Sequence, residues 1–132
     1  MPELKNLNLS NNQITSEGFL KILALQGLES LDLSHNQIGS FKPTSLTSVR
    51  IQRLNLNHNR IKDQDAFYIA QIKAEILNLA NNQIGDLGVS YVACMQGLET
   101  LDLSHNEIVI SWSTEHCRYA RIETPVSELQ SH

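Results

Sequence analysis

Three kinds of side chain in this 132-residue chain are capable of chemistry. His35, His58 and His105 stand in the tripeptides Ser34-His35-Asn36, Asn57-His58-Asn59 and Ser104-His105-Asn106. A pair of imidazoles can bind a divalent metal or respond to pH near neutrality. A zinc centre needs further ligands held in tetrahedral geometry, and neither Cys94 nor Cys117 shares the spacing of these histidines. Ser/Asn-His-Asn is better explained as a repeated structural filling, and His116-Cys117 as an incidental neighbour pair. The carboxylates Asp32 and Asp102 occur in the same hexapeptide, Leu-Asp-Leu-Ser-His-Asn, so they are equivalent surface positions rather than an acid and its base. No nucleophile–base–acid set, phosphate loop or metal signature is present. The expectation is therefore no catalytic residue, no metal, no cofactor and no enzyme activity.

Composition narrows the setting. The net charge is −4 and lysine and arginine form no cluster, which argues against nucleic acid. Hydrophobic residues make up 41% of the chain and charged residues 18%, the balance of a single globular domain. No apolar run could span a bilayer, and Met1-Pro2-Glu3-Leu4-Lys5 does not open a secretory leader. Cys94 lies in an apolar stretch and reads as a small buried thiol, which points to a reducing, cytoplasmic compartment. The sequon Asn8-Leu9-Ser10 falls inside an expected strand and is discounted for glycosylation.

The histidines and carboxylates recur because the whole chain recurs. The pattern L-x-x-L-x-L-x-x-N-x-I occurs at Leu4, Leu7, Leu9, Asn12, Ile14, and again at Leu28, Leu31, Leu33, Asn36, Ile38. It returns at Ile51, Leu54, Leu56, Asn59, Ile61, then with alanine in first place at Ala74, Leu77, Leu79, Asn82, Ile84. The fifth copy is Leu98, Leu101, Leu103, Asn106, Ile108. In each copy the L-x-L core is a short strand whose leucines point inward while the intervening residue points out. One copy cannot bury its leucines alone, so copies must stack. A buried asparagine without partners costs about 1–3 kcal/mol. Asn12, Asn36, Asn59, Asn82 and Asn106 are therefore expected to form a structural ladder bonded to neighbouring backbone.

This pattern resembles the leucine-rich-repeat family. The resemblance implies an α/β solenoid, a horseshoe fragment with a five-stranded parallel sheet on its concave face and mostly helical convex returns. The expected repeats cover about 4–27, 28–50, 51–73, 74–97 and 98–108 onward. Residues 109–132 are expected to form a degenerate cap, with Trp112 shielding the last layer. Tyr119, Ile122 and Thr124 would form a sixth strand ended by Pro125, and 126–132 a frayed tail. In the returns, Phe19, Ile22 and Leu23 precede Gly27. Ala66, Ile69, Ala70 and Ile72 follow Asp63 as a cap. Gly88, Val89, Val92, Ala93 and Met95 lead to Gly97 as a helix stop. The second return contains Phe41-Lys42-Pro43-Thr44 and should be irregular. Helical returns look like those of the ribonuclease-inhibitor or GALA-like intracellular class, which implies a cytoplasmic protein or an effector delivered into a host cell.

A longer period lies on top of this one. Shifting the chain by 70 residues aligns 7–38 with 77–108, with 19 of 32 positions identical. A three-repeat block has been duplicated.

The pattern begins at residue 4, so the first strand is expected to present an uncovered edge around Leu4, Leu7 and Leu9. Either the chain is part of a longer protein, or the edge pairs with another copy, or it is tolerated.

Function is expected on the concave face, whose outward columns read Asn6, Ser30, Arg53, Ile76, Thr100 and Asn8, Asp32, Asn55, Asn78, Asp102. The resemblance implies a protein partner of unknown identity. The residues expected to touch it are Glu29, Asp32, Arg53, Asn55, Asn57, His58, Arg60, Asn78 and Asp102. The alternative is a structural segment of a larger solenoid with no reading surface of its own.

Overall fold

The structure, a computed structural model, describes residues 4–109. The expected cap, sixth strand and tail over 110–132 lie outside them. Five short strands, β1 (Asn6–Asn8), β2 (Ser30–Asp32), β3 (Arg53–Asn55), β4 (Ile76–Asn78) and β5 (Thr100–Asp102), form one parallel sheet in chain order. The register is uniform: Leu7, Leu31, Leu54, Leu77 and Leu101 lie in one row. This is the α/β leucine-rich-repeat solenoid that the resemblance implies.

Each strand is three residues long because its last residue starts a turn. The side-chain oxygens of Asn8, Asp32, Asn55, Asn78 and Asp102 accept the backbone N–H two residues on, at 2.9–3.0 Å. This is an Asx turn, a geometry that Asn and Asp side chains make best and Ser and Thr more weakly. Three residues later, Asn11, His35, His58, Asn81 and His105 adopt φ of 56–59°. The left-handed region is hostile to most L-residues, and Asn and His are enriched among those found in it. The Ser/Asn-His-Asn tripeptides thus have a conformational explanation.

The ladder follows. Asn36 donates to the carbonyls of Leu9 and Leu33 and accepts the N–H of Ile14, all at 3.0 Å. Asn59, Asn82 and Asn106 repeat this on Ile38, Ile61 and Ile84. Each asparagine therefore reaches back one repeat. Asn12 differs: it is exposed and donates only to Leu9 and Ser10 of its own turn, because no described repeat precedes it.

Helices α1 (Ser16–Leu23), α2 (Asp63–Ile69) and α3 (Asp86–Val92) form the first, third and fourth returns. The second return has no helix, as Pro43 predicts, and its backbone is satisfied by the third repeat. Asp65, buried at the start of α2, accepts the N–H of Ser40 and Phe41, and Gln71 accepts that of Leu46. Phe19, Phe41 and Tyr68 pack in a line under this return, with ring centroids 5.8 and 6.3 Å apart.

Three local expectations change. Asp63 does not cap its own helix: its Oδ1 accepts the N–H of Gly85 (2.7 Å) and Gly88 (3.0 Å), so it caps α3 of the next repeat. Asp65 bonds the N–H of Lys62 and holds the start of α2 instead. Gly27 and Gly97 have φ of 90° and 84° and lie past the helix ends, where they turn the chain toward the next strand. Cys94 is half-buried and disulfide-bonded rather than a buried free thiol. Ala93 and Met95 occupy the inward positions there and leave Cys94 on the flank. Cys117 lies outside the described residues.

Candidate protein-binding surface

The sheet offers a polar concave face whose columns are aligned by the parallel register. Arg53 sits at its centre on β3, exposed, with its backbone held by the Glu29 carbonyl at 2.9 Å. In register beside it on β4 is Ile76, 39% exposed. A cation and an uncovered aliphatic side chain thus stand side by side at mid-sheet. That is the combination from which a protein-binding anchor is built: apolar area to bury and a donor to orient it. Sequence reasoning placed Ile76 in this column without singling it out. Its signal was being the one apolar residue among Asn6, Ser30, Arg53 and Thr100.

The other candidates divide by what already holds them. Asp32 and Asp102 each accept both the N–H and the hydroxyl of the serine two residues on, Ser34 and Ser104, at 2.7–3.0 Å. Asn55 and Asn78 bond Asn57 and Ala80 in the same way. Each of these four closes a turn through one side-chain oxygen. The signal was legible: the column contains only Asn and Asp at all five repeats. Asn57 accepts a hydrogen bond from Asn81 at 2.9 Å, joining two neighbouring turns.

His58 lies on His35 with ring centroids 4.3 Å apart and planes 15° from parallel. Stacked rings send their nitrogen lone pairs side by side rather than toward one point, which is the wrong arrangement for chelation. Among the described residues no group of three or more His, Cys, Asp or Glu side chains could hold a metal ion. Arg60 is exposed but lies beyond the ladder asparagine, where its N–H bonds Ile38 and the chain has left the sheet. It is therefore separated from Arg53 by the length of the turn. Glu29 stands at the margin where the chain enters the strands, paired with Lys5 at 3.2 Å. Behind it runs an open groove of about 610 Å³ between Glu29, Arg50, Lys73 and Glu75. Charges of both signs line it.

Sequence models of leucine-rich repeats match residues 2–48 as two copies, then 43–70 and 75–93, then 97–117. The chain belongs to the leucine-rich-repeat family. Repeats of this kind generally mediate protein–protein interaction and are typically not enzymes. No curated protein and no solved structure matched the chain. No helix among the described residues is long and apolar enough to cross a membrane.

Proposed function

We propose that this chain is a recognition module that binds another protein through its concave sheet, with Arg53 and Ile76 as the anchor. The observation that carries this reading is their pairing in register at mid-sheet, exposed, while most neighbouring polar groups are committed to turns. Glu29, Asn57, His58 and Arg60 flank the anchor. Asp32, Asn55, Asn78 and Asp102 set the shape of the face and present their remaining lone pairs. Five strands span about 20 Å, so one copy supports a modest interface. Among the described residues β1 is an edge strand of the sheet, and its pairing with a second copy is a further contact in the same reading. The partner is a protein, with nucleic acid and membrane disfavoured by the charge and by the absence of a basic patch.

The helical returns support the ribonuclease-inhibitor or GALA-like subtype, acting as an adaptor in the cytoplasm or as an effector delivered to a host cell.

The test is capture from a lysate of the native source with wild type, an Arg53→Glu/Ile76→Glu variant and a Leu87→Glu control on the exposed convex side. Loss of a specific protein with the first variant but not the control supports the reading. Equal recovery with all three defeats it.

A further inference from the structure

Cys94 is disulfide-bonded, and no other described residue is a cysteine. The chain's second cysteine is Cys117. Cys94 stands just past α3, half-buried, while Ala93 and Met95 on either side are buried in the core.

The repeat register relates the two cysteines. Val109 follows Ile108 as Gly85 follows Ile84, and Gly85 is the N-cap of α3. The same contact is made at both places. Asp63 of the third return accepts the N–H of Gly85 at 2.7 Å, and Asp86 of the fourth accepts that of Val109 at 2.9 Å. Val109 therefore opens the fifth return as Gly85 opens the fourth. Cys94 comes nine residues after Gly85, and Cys117 eight after Val109. By sequence, the two fall within one residue of the same place in successive returns.

A disulfide requires Cα atoms within about 7 Å of each other. Repeats stack at about 4.8 Å along the sheet, so residues two repeats apart are separated by about twice that. Neighbouring returns touch through their side chains: the rings of Phe67 and Tyr91 lie 5.3 Å apart. A cysteine in the adjacent return meets the distance, and one further along the solenoid does not.

We propose that Cys94 and Cys117 form a disulfide that clips the fifth return to the fourth and makes the order of the fifth repeat depend on redox state. Each repeat of a solenoid packs only on its neighbours. The fifth is joined to the fourth by β4–β5 pairing, by the bonds of Asn106 to Leu79 and Ile84, and by Asp86. The disulfide adds a covalent tie and closes a ring containing β5 with Leu98, Leu101, Leu103 and Ile108, all buried. Closing a ring removes freedom from the opened state, so the repeat opens less often. On β5, Thr100 lies in register beside Ile76. The clip thus acts one strand away from the proposed anchor.

Its chemistry is exchange with a small-molecule disulfide. One cysteine thiolate attacks that disulfide and expels a thiolate, leaving a mixed disulfide. The second cysteine then attacks the protein sulfur and expels the other thiolate. Two protein thiols are oxidised, the small disulfide is reduced to two thiols, and the protons pass to them. A small-molecule thiol reverses the sequence.

The pairing is tested on the full chain, isolated without reductant and with free thiols blocked. Cleavage at glutamate separates the cysteines, since Glu99, Glu107 and Glu115 lie between them. The expected product is a Cys94 peptide linked to a Cys117 peptide, which part on reduction. Cys94 found unlinked, or linked to another copy, would overturn the proposal. Hydrogen exchange with and without a thiol reductant tests the clip. Amides of 98–109 should exchange about tenfold faster after reduction, and those of 28–61 at an unchanged rate. Cys117→Ala should exchange like the reduced wild type and respond no further to reductant. Unchanged exchange in 98–109, or an equal rise along the whole chain, defeats the clip. Reduction of the wild type needs no variant to fold. Neither readout needs a partner, so capture through Arg53 and Ile76 stands or falls separately.

Discussion

Oδ1 of Asp63 accepts the backbone N–H of Gly88 at 3.0 Å, tying the first residue of one convex helix to the third residue of the next. A methyl group on Gly88 would sit 2.6 Å from that oxygen and 2.5 Å from Ile84 Cγ2. The carboxylate and the missing side chain are thus two parts of one contact. Asp86 continues the arrangement by accepting the N–H of Val109 at 2.9 Å. The solenoid is therefore held by two lines of cross-repeat side-chain bonds, asparagines behind the sheet and aspartates on the convex side.

Gly88→Ala should lower stability by about 1–3 kcal/mol through overpacking against Ile84 and Asp63. Asp63→Ala leaves the N–H groups of Gly85 and Gly88 without their acceptor and should cost a similar amount. Because the two share one contact, the double variant should cost less than the sum of the single ones. Urea melts of the three proteins check this, and full additivity would show that the contact is not shared.

The ladder should be unequal along the chain. Asn82→Ala strands the buried N–H of Ile61 and should cost about 1–3 kcal/mol. Asn12→Ala removes only exposed bonds within its own turn and should cost less than about 1 kcal/mol. Equal losses in denaturant melts would contradict the geometry described for Asn12.

Backbone conformation, more than imidazole chemistry, should govern the histidine column. At φ of 56°, His58→Asn should be nearly neutral, and His58→Val should lose about 1–2 kcal/mol to left-handed strain. Thermal melts of both variants decide it. A large loss with asparagine would instead assign the stability to the stack on His35.

Cys94 should carry no free thiol in the folded chain, since it is disulfide-bonded. Alkylation under denaturing, non-reducing conditions followed by peptide mass spectrometry should leave Cys94 unlabelled, and reduction should make it label. Labelling of Cys94 without reductant would restore the reducing-compartment expectation.

The repeat spacing carried the fold because stacking is a local rule applied five times. Leucines at positions 4, 7 and 9 of the first copy and their counterparts can be buried only by a neighbour in the same register, so period alone determines sheet order and inward rows. Pro43 likewise announced the missing helix, since a residue without an N–H breaks or kinks a helix when it falls in the interior. The Asn/Asp and Asn/His columns were also written in the chain, as composition at fixed positions, though their cause is a turn geometry that periodicity does not express.

What the tertiary structure decided are relations between neighbouring repeats that no single repeat contains. Asp63 is well placed by sequence to cap its own helix, and only the offset between successive returns carries its carboxylate to Gly85 and Gly88. Arg53 and Arg60 are equally charged and seven residues apart, but the chain leaves the sheet between them. Ile76 stands beside Arg53 because the register puts them side by side. Hydrophobic period is a property of one chain segment; side-chain bonding across repeats depends on how far each is shifted and turned against the next, and that is settled only when all of them pack.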